Sequence, residues 1–126
     1  MNHTAEAPTM RVLIACESSG VVRKAFRDLG HSAWSCDLLP ADDDSEHHLQ
    51  MDCMKAIHQE WDLIIMHPPC TAICVSGNRW YGKGMPKSAE RADAISWTME
   101  LWELATRSCP KVAMENPVGT LPMKAT

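Results

Sequence analysis

The stretch Arg11-Val-Leu-Ile-Ala-Cys-Glu-Ser-Ser-Gly-Val-Val-Arg-Lys-Ala-Phe-Arg-Asp-Leu-Gly30 decides the fold class. Arg11–Cys16 reads as a strand buried on both faces, because every residue from Val12 to Cys16 is apolar and no polar alternation marks a solvent face. Ser18-Ser19-Gly20 breaks the run. Val22, Ala25, Phe26 and Leu29 then follow at i, i+3, i+4 and i+7, and Gly30 stands where a helix C-terminal glycine belongs. Strand, turn and helix in twenty residues is the opening of an α/β unit, and the rest of the chain repeats the alternation.

Downstream, His31–Asp37 and His48–Asp52 fit a second and a short third strand, separated by the acidic connection Pro40–Glu46. Asp62–Met66 is a fourth strand, stopped by His67-Pro68-Pro69. The stretch Thr71–Pro86 reads as a long loop, and a loop of that length in a small domain is usually functional. A helix is expected over Lys87–Ser108, where Ala92, Ile95, Met99, Trp102 and Ala105 keep helical spacing before Pro110. Lys111–Met114 is the fifth strand. With right-handed crossovers, the expected architecture is a doubly wound, mostly parallel sheet of order 3-2-1-4-5, Rossmann-like, over residues 11–126, with residues 1–10 as a loose extension.

Length and composition agree with one globular domain: 126 residues, 45% hydrophobic and 22% charged. The net charge of −4 argues against holding nucleic acid by bulk electrostatics. No apolar run approaches a membrane span, and the first nine residues lack the basic and apolar segments of a signal peptide. Six cysteines lie mostly at the ends of apolar runs, which fits reduced thiols in a cytoplasmic chain better than a disulfide framework. His67-x-x-Cys70-x-x-x-Cys74 lacks the paired ligands of a zinc site, so no metal is expected.

In such sheets ligands bind at the carboxyl ends of the strands, which here carry Glu17–Gly20, Asp37, Asp52, His67–Cys70 and Glu115–Pro117. A dinucleotide turn needs three glycines to admit pyrophosphate, whereas this turn has Gly20 alone. Asp37 ends the second strand where an acid can accept from ribose hydroxyls, or it simply starts the loop. A nucleoside-bearing ligand without pyrophosphate, such as S-adenosylmethionine, fits both features. Pro68-Pro69 can fix the Cys70 thiol at the sheet edge as a nucleophile, against the plainer reading of a buried structural cysteine. Glu115 follows the last strand directly; half-buried it would donate a proton, and otherwise it would pair with Lys111 or Lys124.

Taken together these pieces resemble the DNA (cytosine-5) methyltransferases, the short phage-type members most of all. Asp62-Leu-Ile-Ile-Met-His-Pro-Pro-Cys-Thr-Ala-Ile-Cys-Val-Ser-Gly-Asn is similar to that family's strand, Pro-Cys motif and following Ser-Gly; Lys111-Val-Ala-Met-Glu-Asn-Pro-Val is similar to its Glu-Asn-Val strand. Arg11–Gly30 resembles the cofactor turn, and Met51-Asp52 the Gly-Asp after the third strand. The resemblance runs from about Met10 to Gly119 and implies methyl transfer from S-adenosylmethionine to C5 of cytosine in DNA. It implies that Cys70 adds to C6, that Glu115 protonates N3 or holds the amine, and that loss of the C5 proton and elimination release the enzyme. It further places Glu17, Ser18, Gly20, Asp37, Asp52 and Pro68 around the cofactor, with Asp37 at the ribose and Asp52 at the adenine. Pro69, Ser76, Gly77 and Asn116 fall to the substrate, with a loop over Val75–Pro86 closing behind a flipped base.

The departures are specific. Cys16, Ser18 and Val21 replace the family's phenylalanine and two glycines, and Thr71 replaces its glutamine. No Gln-x-Arg-x-Arg motif or target-recognition region follows Pro117, so the expectation is a short catalytic half whose Lys111–Met114 edge pairs with a second copy or a partner chain. The competing expectation is an inactive remnant that binds DNA or protein. An amino methyltransferase ranks last, since His67-Pro-Pro-Cys lacks that class's acceptor residue and aromatic. If nucleic acid binds, Arg79, Lys83, Lys87 and Arg91 would lie along its backbone, although a solvated face is the plainer reading of these four.

Overall fold

The apolar run at the start of the chain becomes the middle strand of a five-stranded sheet, with Val12, Leu13, Ile14 and Ala15 all completely buried. The computed structural model describes residues 9–67 and 88–115. Its elements are β1 (Arg11–Ala15), α1 (Val21–Asp28), β2 (Ser32–Asp37), β3 (His48–Gln50), α2 (Cys53–Ala56), β4 (Leu63–Met66), α3 (Ser88–Ser108) and β5 (Val112–Met114). The strand order is β3-β2-β1-β4-β5, and each neighbouring pair is parallel, as expected for the doubly wound fold.

Alternation along β1 divides the core into two layers. Leu13 and Ala15 join Cys36, Cys53, Ala56, Ile57, Trp61, Ile64, Met66, Leu101 and Ala105 on the face covered by α2 and α3. Val12, Ile14 and Ala33 form the other layer, against which Val22 and Phe26 of α1 pack. Register places Ala15 beside Cys36 on one side and Met66 on the other, so the carboxyl ends of β1, β2 and β4 finish at one level. Gly30, at φ 93, supplies the left-handed residue that ends α1.

Both long helices keep only part of the stripe read from their periodicity. In α1 the buried residue is Arg23, whereas Ala25 and Leu29 are exposed. The Asp43 carboxylate and the Ser35 hydroxyl satisfy the Arg23 guanidinium, so it is buried alongside Val22 and Phe26. In α3 the buried positions are Arg91, Thr98, Leu101 and Ala105; Ala105 holds to the expected stripe, while the other three each lie one residue before a member of it, and Thr98 Oγ1 meets its buried needs by donating to the Ala94 carbonyl. Both readings of Arg91, a solvated face and a nucleic-acid contact, are therefore corrected: it is 8% exposed and belongs to the interior.

Candidate functional site

At the end of β1 the chain turns sharply. Cys16 takes φ 66, in the left-handed region uncommon for a residue with a side chain, and the amides of Cys16 and Glu17 both donate to the Cys36 carbonyl at 2.8 and 3.1 Å. Glu17 is buried by this turn. Its carboxylate accepts from the amides of Val22 (2.9 Å) and Arg23 (3.2 Å), so the first amides of α1 are satisfied within the chain. An anionic ligand there would have to displace a buried carboxylate, which accords with a turn not built for pyrophosphate.

Gly20 is required by the packing of the turn itself. It sits at φ 81, and a β-carbon there would collide with the Arg23 guanidinium and stand 2.8 Å from the Asp43 carboxylate. Arg23 is ion-paired to Asp43 and donates to Ser35 Oγ at 2.6 Å; that hydroxyl in turn meets His48 Nδ1 at 2.7 Å, and His48 Nε2 lies 2.9 Å from the Leu39 carbonyl. This chain of polar groups ties α1, β2 and β3 together beneath the turn.

Two cavities open at the carboxyl ends of the strands. The first, of about 340 Å³, is lined by Cys16, Asp37, Leu38, Asp52, Cys53, Ala94, Trp97 and Thr98. That volume lies in the range of small-molecule sites. Asp37 Oδ1 accepts from the Leu39 amide at 2.9 Å, and Asp52 Oδ1 from the Met54 amide at 2.9 Å, capping α2. Each carboxylate thus has one local structural duty while lining the cavity. The second cavity, of about 360 Å³, is lined by Cys16, Glu17, Ser18, Ser19, Val21, Val22, His67 and Glu115. Cys16 belongs to both walls.

His67 and Glu115 meet because the sheet brings them there. Met66 pairs with Met114, the Glu115 amide donates to the Met66 carbonyl, and the His67 amide donates to the Ala15 carbonyl, both at 2.9 Å. One residue beyond the ladder, His67 Nδ1 stands 3.3 Å from Glu115 Oε2. The Glu115 side chain is 69% exposed, which fits a locally paired strand-end residue more than a half-buried one, and its partner is His67 in place of Lys111. His67 Nε2 is buried and has no hydrogen-bond partner among the described residues.

Of the expected site residues, Glu17, Ser18 and Glu115 line the second cavity, Asp37 and Asp52 the first, and Gly20 lies in the turn beside them. Pro68, Pro69, Cys70, Ser76, Gly77 and Asn116 lie outside the described residues. Sequence reasoning placed His67 at a strand's carboxyl end without giving it a role, and passed over Trp97 and the sulfur group formed by Cys16, Cys36 and Cys53. The signal for the last was present, since Cys16 and Cys36 end or follow adjacent strands and Cys53 follows the third. No protein-family model, curated protein or solved structure matches the chain. No helix among the described residues is long and apolar enough to cross a membrane.

Proposed function

We propose that this chain is a pyrimidine C5 methyltransferase core that uses S-adenosylmethionine and acts on cytosine in DNA. One observation carries the reading: two cavities at the carboxyl ends of the sheet share Cys16, one holding Asp37 and Asp52, the other ending at His67 and Glu115, immediately before Pro68-Pro69-Cys70 in the chain. The residues present suit the cofactor. Asp37 offers a carboxylate for a ribose diol, and Asp52 one for an exocyclic amine. Trp97 and Leu38 supply apolar wall for a heterocycle. When bound, S-adenosylmethionine supplies an electrophilic methyl group.

The protein's own task is to make C5 nucleophilic. The Cys70 thiolate adds to C6 of the pyrimidine, and Glu115 delivers a proton to N3 or holds the exocyclic amine as charge builds there. His67, 3.3 Å from the carboxylate, orients Glu115 for that transfer. A general base then removes the C5 proton, and elimination frees Cys70.

The test uses a single-stranded oligonucleotide with 5-fluorocytosine, which blocks the final elimination. With S-adenosylmethionine, the wild-type chain is expected to form an adduct stable to denaturation, mapped to Cys70 and absent from Cys70→Ala. An adduct that survives in Cys70→Ala, or none with the wild type on single- or double-stranded DNA, would overturn the reading.

A further inference from the structure

Three thiols meet at the wall of the first cavity. Cys53 Sγ lies 3.4 Å from Cys36 Sγ and 3.8 Å from Cys16 Sγ, and the backbone amide of Cys16, at its left-handed φ, donates to Cys53 Sγ at 3.3 Å. None is in a disulfide, and among the described residues no group of three or more His, Cys, Asp or Glu is arranged to hold a metal ion. Cys16 and Cys53 line the cavity, while Cys36 lies behind them, completely buried, with its thiol 3.3 Å from the Met51 carbonyl. No step of the proposed methyl transfer uses these sulfurs.

We infer that Cys53 is a peroxide-reactive thiol, entered from the first cavity, that closes a disulfide within this cluster. Three features support it. The cavity gives a small oxidant access to a sulfur that is otherwise only 4% exposed. The Cys16 amide and thiol both point hydrogens at that sulfur, which favours the thiolate, the form that attacks. Two further thiols stand within 4 Å to complete the reaction. In keeping with this, the hydrogen bond from Cys16, then the contact with Cys36, pull the Cys53 thiol down to about 4, and the same contacts push Cys16 and Cys36 up.

The chemistry balances with hydrogen peroxide as the oxidant. The Cys53 thiolate attacks one peroxide oxygen, the O–O bond breaks, and the departing hydroxide takes a proton from solvent to become water, leaving Cys53 as a sulfenic acid. The sulfur of Cys16 or Cys36 then attacks Cys53 sulfur and the S–O bond breaks. The second hydroxide leaves with that thiol's proton as water. Two thiols have lost two electrons to one peroxide.

The built-in comparison is Cys109, equally secluded at 6% exposure, with its thiol donating to the carbonyls of Trp61 and Lys111 and no second sulfur beside it among the described residues. The wild-type full chain is treated with one equivalent of hydrogen peroxide, quenched over time by alkylation, and mapped by mass spectrometry. Loss of free Cys53 at least about tenfold faster than Cys109, with a peptide pair joined from Cys53 to Cys16 or Cys36 that dithiothreitol separates, is expected. In Cys16→Ser, dimedone should trap more Cys53 sulfenic acid than in the wild type. Cys53 oxidising no faster than Cys109, or peroxide consumed only at Cys70 and Cys74, would overturn the inference. These readouts need neither DNA nor S-adenosylmethionine, so they stand or fall apart from methyl transfer.

Discussion

Glu115 shows how much one side chain's neighbours decide. Its carboxylate is exposed and touches His67, so the proposed role as proton donor rests on that contact and on substrate. Glu115→Gln is expected to lower single-turnover methyl transfer by about 10²–10⁴ while leaving S-adenosylmethionine affinity within about twofold, read by radiolabel transfer and by calorimetry. A parallel loss of affinity would move Glu115 into the cofactor site. Cys53 makes a different demand, on stability. Unfolded thiols titrate near about 8.5. In the fold Cys53 is lowered far below that, and Cys16 and Cys36 are raised above it. Between about pH 5 and 8 the unfolded chain therefore binds one more proton than the native chain, so these thiols make stability rise with pH. Above about pH 9 the unfolded chain has released all three protons while the native chain keeps two, so stability falls. Urea midpoints measured across this range should show the rise in wild type and a flatter curve in Cys53→Ser. Neither effect was legible from sequence, because spacing along the chain says nothing of which sulfurs the fold brings into contact.

Elements were more legible than residues. A central parallel strand must be apolar on both faces, so Arg11–Ala15 and Leu63–Met66 announce themselves. The four-residue α2 does not: one turn is too short for periodicity, and its cap, Asp52, read only as a ligand residue. The stripe of α1 held at Val22 and Phe26 and failed at Ala25 and Leu29, because an arginine with Asp43 and Ser35 as partners can be buried more fully than a leucine at the helix end. What starts α1 is Glu17, whose two oxygens hold the amides of Val22 and Arg23. Glu17→Ala should cost about 1–2 kcal/mol in chemical denaturation, and Glu17→Gln, which keeps one acceptor, less than half of that. A null effect of Glu17→Ala would mean that water replaces the carboxylate without loss. Gly20→Ala should cost about 1–3 kcal/mol, since the left-handed backbone and the guanidinium above it both resist a β-carbon. Equal stability of wild type and Gly20→Ala would show that Arg23 swings aside freely.

At the scale of the molecule, the first cavity exists only when distant parts of the chain are assembled. Cys16 comes from the end of β1, Asp37 from β2, Asp52 from the exit of β3, and Ala94, Trp97 and Thr98 from a helix some forty residues further on. The strand order that sets these ends side by side was readable from alternating apolar runs and helices, whereas the wall contributed by α3 was not, since nothing local to Trp97 marks it as facing a ligand. A ligand of this cavity must therefore be linked to global unfolding and not to one loop. S-adenosylhomocysteine at a hundredfold excess over its dissociation constant should add about 2.7 kcal/mol to unfolding. For a chain of this length that is a rise in melting temperature of roughly ten degrees. Trp97 fluorescence should change in the same titration. Asp37→Ala should keep the fold and the unliganded melting temperature within a few degrees, yet lose most of the ligand-induced rise, because the carboxylate for the ribose diol is gone. If S-adenosylhomocysteine leaves wild-type melting unmoved at millimolar concentration while the folded chain is intact by circular dichroism, the cavity belongs to another ligand. An equal rise in wild type and Asp37→Ala would instead remove Asp37 from the binding site and leave its bond to the Leu39 amide as its whole role.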